Sequence, residues 1–185
     1  MTKENYFVLT GAMGAGKTTV INKIKEKGYR CIDEPARIVL KEQRETDGDG
    51  VPEKNAEFFN QLMLSRMIAG YENNFMSKEI IIFDRGIPDI IAYSELLETK
   101  KEMSEKAAEE FRYNKYVFMF NGREEIYTND DERKMDFETA NNFGINVKKI
   151  YENLNYTVID VLFVSIDERV SFILEYISKV NPSMD

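Results

Sequence analysis

An α/β fold, with a five-stranded parallel sheet covered by helices on both faces in three layers, is predicted by three observations. Five short apolar runs alternate along the chain with segments of three- and four-residue hydrophobic spacing. Each of the first four runs ends in a Gly-rich or charged segment, as strands do when their carboxyl ends open on a ligand crevice. Finally, Gly11-Ala12-Met13-Gly14-Ala15-Gly16-Lys17-Thr18 stands between the first run and the first helix, satisfying the G-x-x-x-x-G-K-[ST] pattern of a phosphate-binding loop.

The elements follow in order. Tyr6-Phe7-Val8-Leu9 reads as a buried strand. After the loop, Val20, Ile21 and Ile24 form the apolar stripe of a helix stopped by Gly28, a residue suited to the C′ position. Tyr29 to Ile32 is a second strand, and Pro35 suits the first turn of a helix through Ile38 and Leu40. A polar interruption, Thr46 to Pro52, precedes a long helix from about Glu53 to Met76, whose Phe59, Leu62, Met63, Met67, Tyr71 and Phe75 share a face. Glu79 to Phe83 is the third strand, followed by helical spacing from Ile87 to Leu97 and a charged helix from about Lys101 to Phe111. Tyr116 to Phe120 is the fourth strand. A polar stretch, Asn121 to Asp136, then gives way to a helix from about Phe137 to Leu154, a last strand Tyr156 to Phe163 and a closing helix Asp167 to Val180.

Length and composition bound the function. At 185 residues the chain fits one domain, 1–185, able to bury about 70% of its unfolded surface. Hydrophobic content of 43% and charged content of 31% are those of soluble globular proteins. No apolar run approaches the ~20 residues of a membrane-spanning helix, and no secretory leader is expected at the N-terminus. The lone Cys31 cannot form an internal disulfide, so a cytoplasmic location is expected. A net charge of −8 argues against general nucleic-acid binding. The chain contains no His, which leaves carboxylates, Lys, Arg and Mg²⁺ for any chemistry.

The loop specifies that chemistry. Glycines at 11, 14 and 16 allow close backbone approach, and the amides around Ala15 and Thr19 point at phosphate from the start of the following helix. Lys17 reaches the β/γ oxygens, and Thr18 offers its hydroxyl to Mg²⁺. A nucleoside triphosphate is therefore the expected ligand. Asp84, ending a buried strand, is placed to join Thr18 at Mg²⁺, or else to cap the next helix. Arg85 is expected either to clamp a phosphoryl oxygen or to pair with Asp84 or Asp89. Glu34 is the expected base for an acceptor hydroxyl, with Arg37 one turn on to hold the acceptor. The alternatives are that Asp33 or Glu34 caps the helix begun by Pro35 and that Arg37 is a surface residue. Asn121 to Asp136 reads as a lid whose Arg123 and Arg133 neutralise phosphoryl charge, or as a solvated charge run. Asp47-Gly48-Asp49-Gly50 resembles a calcium loop but lacks its third acidic position and the Glu at position 12, so a mobile loop is expected.

On these residues the chain resembles the small AAA-type P-loop family that includes ribosylnicotinamide kinase domains of bacterial NAD regulators and animal GTP- and phosphatidic-acid-binding trafficking proteins. The resemblance rests on Gly11 to Thr18, Glu34-Pro35-Ala36-Arg37, Asp84-Arg85-Gly86 with Pro88-Asp89 and Ala92-Tyr93, Asp130-Asp131-Glu132-Arg133, and Ile166-Asp167-Glu168-Arg169. More distantly, Glu34-Pro35 and Asp84-Arg85 are similar to signatures of deoxynucleoside kinases. That likeness implies Glu34 as base and the acidic-Arg pair at metal and phosphate. No Asn-Lys-x-Asp guanine signature occurs: Asn22-Lys23-Ile24-Lys25 is mid-helix and Asn114-Lys115-Tyr116-Val117 precedes a strand. ATP is thus expected ahead of GTP. The expected function is Mg²⁺-dependent phosphoryl transfer from ATP to a small, nucleoside-like hydroxyl acceptor. The alternative is an ATPase or GTPase switch read by a protein or lipid partner.

Overall fold

The computed structural model describes residues 2–126 and 136–182. Within them five strands, β1 (Tyr6–Gly11), β2 (Arg30–Ile32), β3 (Ile81–Asp84), β4 (Tyr116–Phe120) and β5 (Thr157–Asp160), form one parallel sheet in the order β2-β3-β1-β4-β5. The helices are α1 (Lys17–Glu26), α2 (Pro35–Glu45), α3 (Pro52–Glu72), α4 (Pro88–Leu96), α5 (Glu102–Glu110), α6 (Phe137–Asn153) and α7 (Ile166–Val180).

Strand alternation builds the three layers. Tyr6 and Val8 enter one core with Ile81, Phe83 and Val117, under α2 to α6. Phe7 and Leu9 enter the other with Ile82, Phe118 and Phe120, under α1 and α7. In the first core, Tyr71 meets the rings of Tyr6, Phe111 and Tyr113 edge to face at 4.9–5.4 Å, the arrangement that aromatic quadrupoles favour. Among the described residues no helix is long and apolar enough to cross a membrane.

Two element boundaries differ from the sequence-based expectation. The long helix ends at Glu72 rather than Met76, and it is broken at Asn55 (φ −151, ψ 86), whose side-chain Oδ1 accepts the Phe58 amide at 3.0 Å. Asn55 thereby caps the main run, while Pro52 starts a separate first turn. The last strand stops at Asp160. Leu162, Phe163 and Val164 leave the sheet and are exposed, and their apolar character belongs to the rim of the strand ends. The other helix signals act as read: Gly28 takes φ 90 just beyond α1, and Pro35 opens α2.

Because β1 is central, the loop after it lies mid-sheet, where strand order departs to both sides. The approach is tight enough to dictate glycine. A Cβ on Gly11 (φ +133) would lie 2.1 Å from the Phe120 carbonyl oxygen, and one on Gly144 of α6 would lie 2.8–2.9 Å from Ala12. The end of β1 is thus clamped between β4 and α6.

Candidate active site

A cleft of about 600 Å³ opens over the carboxyl ends of the strands. Its floor is the loop from Met13 to Thr19, one wall comes from α2, α3 and α4, and Phe163, Ile166 and Arg169 form the other. The structure brings Gly14, Ala15, Gly16, Lys17, Thr18, Thr19, Glu34, Arg37 and Arg85 together on this one surface. Gly14 (φ 76) and Gly16 (φ 83) are left-handed, so the loop turns its amides inward at a position only glycine occupies without strain.

Lys17 begins α1 and is buried, its Nζ donating to the Ala12 carbonyl at 2.9 Å across the loop. Burial, then the nearby Arg85 cation, lowers its pKa to about 8, against the opposing pull of Asp84 and Glu34. Thr18 and Thr19 are exposed toward the cleft.

Asp84 ends β3 in register with Leu9 of β1. It caps nothing. Its Oδ1 is buried without a hydrogen-bond partner, and burial, reinforced by the Glu34 carboxylate, raises its pKa to about 7 against Lys17 and Arg85. An orphaned carboxylate oxygen beside a phosphate loop fits a hard cation. No cluster of three or more His, Cys, Asp or Glu that could hold a metal exists among the described residues. Asp84 with the Thr18 hydroxyl fits an oxygen-ligated divalent cation such as Mg²⁺, which takes one or two protein oxygens and completes its shell with phosphate and water.

The Arg85 backbone is left-handed (φ 70), which turns its side chain back under the loop. Nε donates to Glu34 Oε1 at 2.7 Å, and Nη1 donates both to the Gly11 carbonyl and to Asp89 Oδ1 at 2.9 Å. Of the two expectations for Arg85, pairing is observed, with Asp89 and additionally with Glu34. Glu34 occupies the N-cap position of α2, yet its side chain makes no cap hydrogen bond. Oε1 instead accepts from Arg85 and from the Tyr93 hydroxyl at 3.1 Å, and Oε2 lies 3.9 Å from Arg37 Nε. Burial alone would raise the Glu34 carboxyl, but the Arg85 and Lys17 cations and these hydrogen bonds outweigh it and hold the pKa at about 2.

Two groups stood in the sequence reading without a site role, Asp89 as a pairing partner for Arg85 and Arg169 only within a family motif. Asp89, fully buried, accepts from Thr10 Oγ1, Arg85 Nη1, the Gly86 amide and the Tyr151 hydroxyl, so it locks Arg85 to β1 and α6. Asp89 lies in the first turn of α4 and reaches back to Arg85, which precedes the helix. Arg169 of α7 is buried, with Nε donating to the Val164 carbonyl at 2.9 Å and Nη1 3.3 Å from where a Gly16 Cβ would lie. Arg123 and Arg169 each stand about 5 Å from the Phe163 ring (5.1 and 5.0 Å), a cationic and aromatic corner at the loop end of the cleft. Arg133, with Asp130 to Glu132 and Lys134, lies outside the described residues, as does most of the expected lid. Asp47 is ion-paired with Lys54 at 2.6 Å.

Two measurable consequences follow from these charges. Glu34 has a folded pKa of about 2 against an ordinary value of 4.5. Its stabilisation is therefore complete above pH 4.5 and is lost as pH falls from 4.5 toward 2, an effect on the order of 3 kcal/mol. Urea unfolding of wild type and Glu34→Gln should show a gap at pH 7 that falls to less than half by pH 3 and closes only below about pH 2. A gap that stays constant with pH would mean that the carboxylate charge contributes nothing. For Asp84, the asparagine variant is expected to need about 10-fold or more Mg²⁺ for half-maximal turnover, read by Mg²⁺ titration. An unaltered titration curve would make Asp84 structural.

A family model described as an AAA domain matches residues 6–169. No curated protein matches this chain. Among solved structures it is similar to deoxyadenosine kinase from M. mycoides with bound dATP, with TM-score 0.68 and 15% identity over 94% of this chain and 98% of that one. Thymidylate kinase from Ehrlichia chaffeensis superposes with TM-score 0.59 at 18% identity, covering 94% of this chain and 97% of that one. Shikimate kinase from Acinetobacter baumannii in complex with shikimate gives 0.59 at 16%, covering 95% and 94%. At such identities the shared property is the fold: a kinase-like P-loop α/β domain.

Proposed function

We propose, for a chain that belongs to the AAA domain family of P-loop NTPases, that it is a phosphotransferase moving the γ-phosphoryl group of ATP to a hydroxyl of a small acceptor. The single observation that carries this reading is the placement of the Glu34 carboxylate, in the same cleft as the phosphate loop yet on the α2 wall, held there by Arg85 and Tyr93. A hydrolytic switch needs such a group only to orient a water, whereas this cleft of about 600 Å³ leaves room beside Glu34 for a larger acceptor. Kinases among the structural neighbours, whose described ligands include dATP and shikimate, support the same reaction class.

In this proposal the amides of Gly11 to Thr19, with Gly14, Ala15 and Gly16 at the turn, cradle the β-phosphate. Lys17 leaves the Ala12 carbonyl for the β/γ oxygens. Thr18 and Asp84 hold Mg²⁺, which supplies charge neutralisation at the β- and γ-oxygens. The base of the triphosphate lies toward Phe163 between Arg123 and Arg169. Arg133, on the segment 121–136, closes over the γ-phosphoryl as a lid arginine. The acceptor oxygen forms a bond to the γ-phosphorus as the bond from phosphorus to the bridging oxygen breaks, and ADP leaves with that electron pair.

The acceptor's proton goes to Glu34. A carboxylate with a pKa of about 2 is a weak base toward a resting alcohol, so it accepts a hydrogen bond from the hydroxyl first and takes the proton only as the oxygen becomes acidic on bonding to phosphorus. That order suits the loose transition state of phosphoryl transfer. Arg37 and Arg85 flank the acceptor end. The acceptor is a hydroxyl compound of nucleoside-like size. Radiolabel from γ-labelled ATP appearing in an organic phosphate, dependent on Mg²⁺ and on Glu34, tests the proposal.

A further inference from the structure

The walls of the cleft change character with distance from Glu34. Along α2 the lining positions pass from Glu34 and Arg37 to Leu40, roughly 9 Å further along the helix axis at 1.5 Å per residue. On α4 they pass from Tyr93 to Leu96 and Leu97, one turn on, which the three- and four-residue steps place on the same face. From α3 come Pro52 and Phe59. Every polar side chain of the acceptor half that lines the cleft among the described residues, namely Glu34, Arg37, Arg85 and Tyr93, thus belongs to the reacting end. The far end presents Leu40, Pro52, Phe59, Leu96 and Leu97, with no Asn, Gln, Ser, Thr or Asp.

A nucleobase carries two to four hydrogen-bonding groups on the edge opposite its sugar. Buried here, that edge would leave water for apolar side chains, with none among the described lining residues to replace the lost bonds. A site built to read such an edge carries amides or hydroxyls for it.

Resting on the phosphotransferase reading above, we propose that the acceptor is an alcohol with an apolar body, an aryl or branched-alkyl group seated among Leu40, Phe59, Leu96 and Leu97, whose hydroxyl alone is recognised by polar contacts, at Glu34. The arrangement selects by shape and apolar area. A natural nucleoside fits the reacting end through its sugar hydroxyl but is penalised at the far end.

The test compares acceptors that share the reacting end and differ only at the far end. Thymidine and its difluorotoluene isostere, the same deoxyribose bearing a ring of the same shape without hydrogen-bonding groups, are incubated with γ-labelled ATP and Mg²⁺ beside the other natural nucleosides and a series of arylalkyl and branched-alkyl alcohols. The expected result is a kcat/KM for the isostere on the order of 10-fold above that of thymidine, with arylalkyl alcohols accepted. A kcat/KM for thymidine equal to or above the isostere's would overturn the apolar-acceptor proposal and leave the phosphotransferase reading standing. If no alcohol of the panel is phosphorylated although calorimetry shows ATP–Mg²⁺ bound, the phosphotransferase reading falls and this proposal falls with it.

Discussion

Lys17→Ala is expected to lower ATP–Mg²⁺ turnover by at least about 100-fold while leaving the thermal midpoint at or slightly above that of the wild type. The two halves of this expectation have one origin. Lys17 is buried, and among the described residues its one hydrogen bond goes to the Ala12 carbonyl. Burial and Arg85 both oppose its charge, which is why its pKa falls to about 8. The folded state tolerates that cation at a cost, and bound phosphate is what would offset it. Removing it relieves that cost and, on the proposed function, deletes the stabilisation of the γ-phosphoryl in the transition state. Steady-state kinetics and calorimetry of ATP binding read one half, and thermal unfolding reads the other. Unchanged turnover together with unchanged ATP affinity would remove the nucleotide from this loop.

Glu34→Gln is expected to bind ATP–Mg²⁺ as the wild type does and to lose about 100-fold or more in acceptor phosphorylation. The phosphate loop and Lys17 are untouched, so donor affinity should survive. The amide keeps an oxygen for Arg85 or Tyr93 but has no charge to set against the Arg85 guanidinium and cannot take the acceptor's proton. Because half of a largely buried ion pair is lost, the variant should also be less stable by about 3 kcal/mol at pH 7. Transfer rates must therefore be measured well below its unfolding temperature. A variant that is folded, saturable with ATP and still transfers at near wild-type rate would show that Glu34 serves only to brace Arg85.

The strands and the phosphate loop were readable because their signals are local. A contiguous motif specifies Gly11 to Thr18, and the runs of β1, β3 and β4 are continuous because central strands of a parallel sheet are buried on both faces, whereas β2 and β5 lie at its edges and are partly exposed. The overshoot at Phe163 comes from the same rule: an apolar run continues past Asp160, and sequence cannot tell a strand side chain from one that lines a cleft. Asn55 misled for a different reason, since a capping residue inside a helical pattern looks like any polar position on its solvent face. In the site, capping and chemistry offered equal readings for Glu34 because the decisive partners, Arg85 and Tyr93, lie 51 and 59 residues away. Asp89 and Arg169 were invisible as site residues for that reason too. Their partners on β1, α6 and the loop meet them only once the sheet order β2-β3-β1-β4-β5 is formed.

The proposal of one cleft taking a triphosphate on the loop after β1 and an alcohol against Glu34 makes a direct prediction for the fate of the γ-phosphorus. In a single-turnover reaction of excess protein with γ-labelled ATP, Mg²⁺ and a pooled set of small alcohols, the label is predicted to appear in an organic phosphate ester faster than in inorganic phosphate. That ester should be absent with Lys17→Ala and strongly reduced with Glu34→Gln. Label released only as inorganic phosphate, at a rate indifferent to the alcohols and to Glu34→Gln, would contradict the account and make the protein a nucleotide-hydrolysing switch.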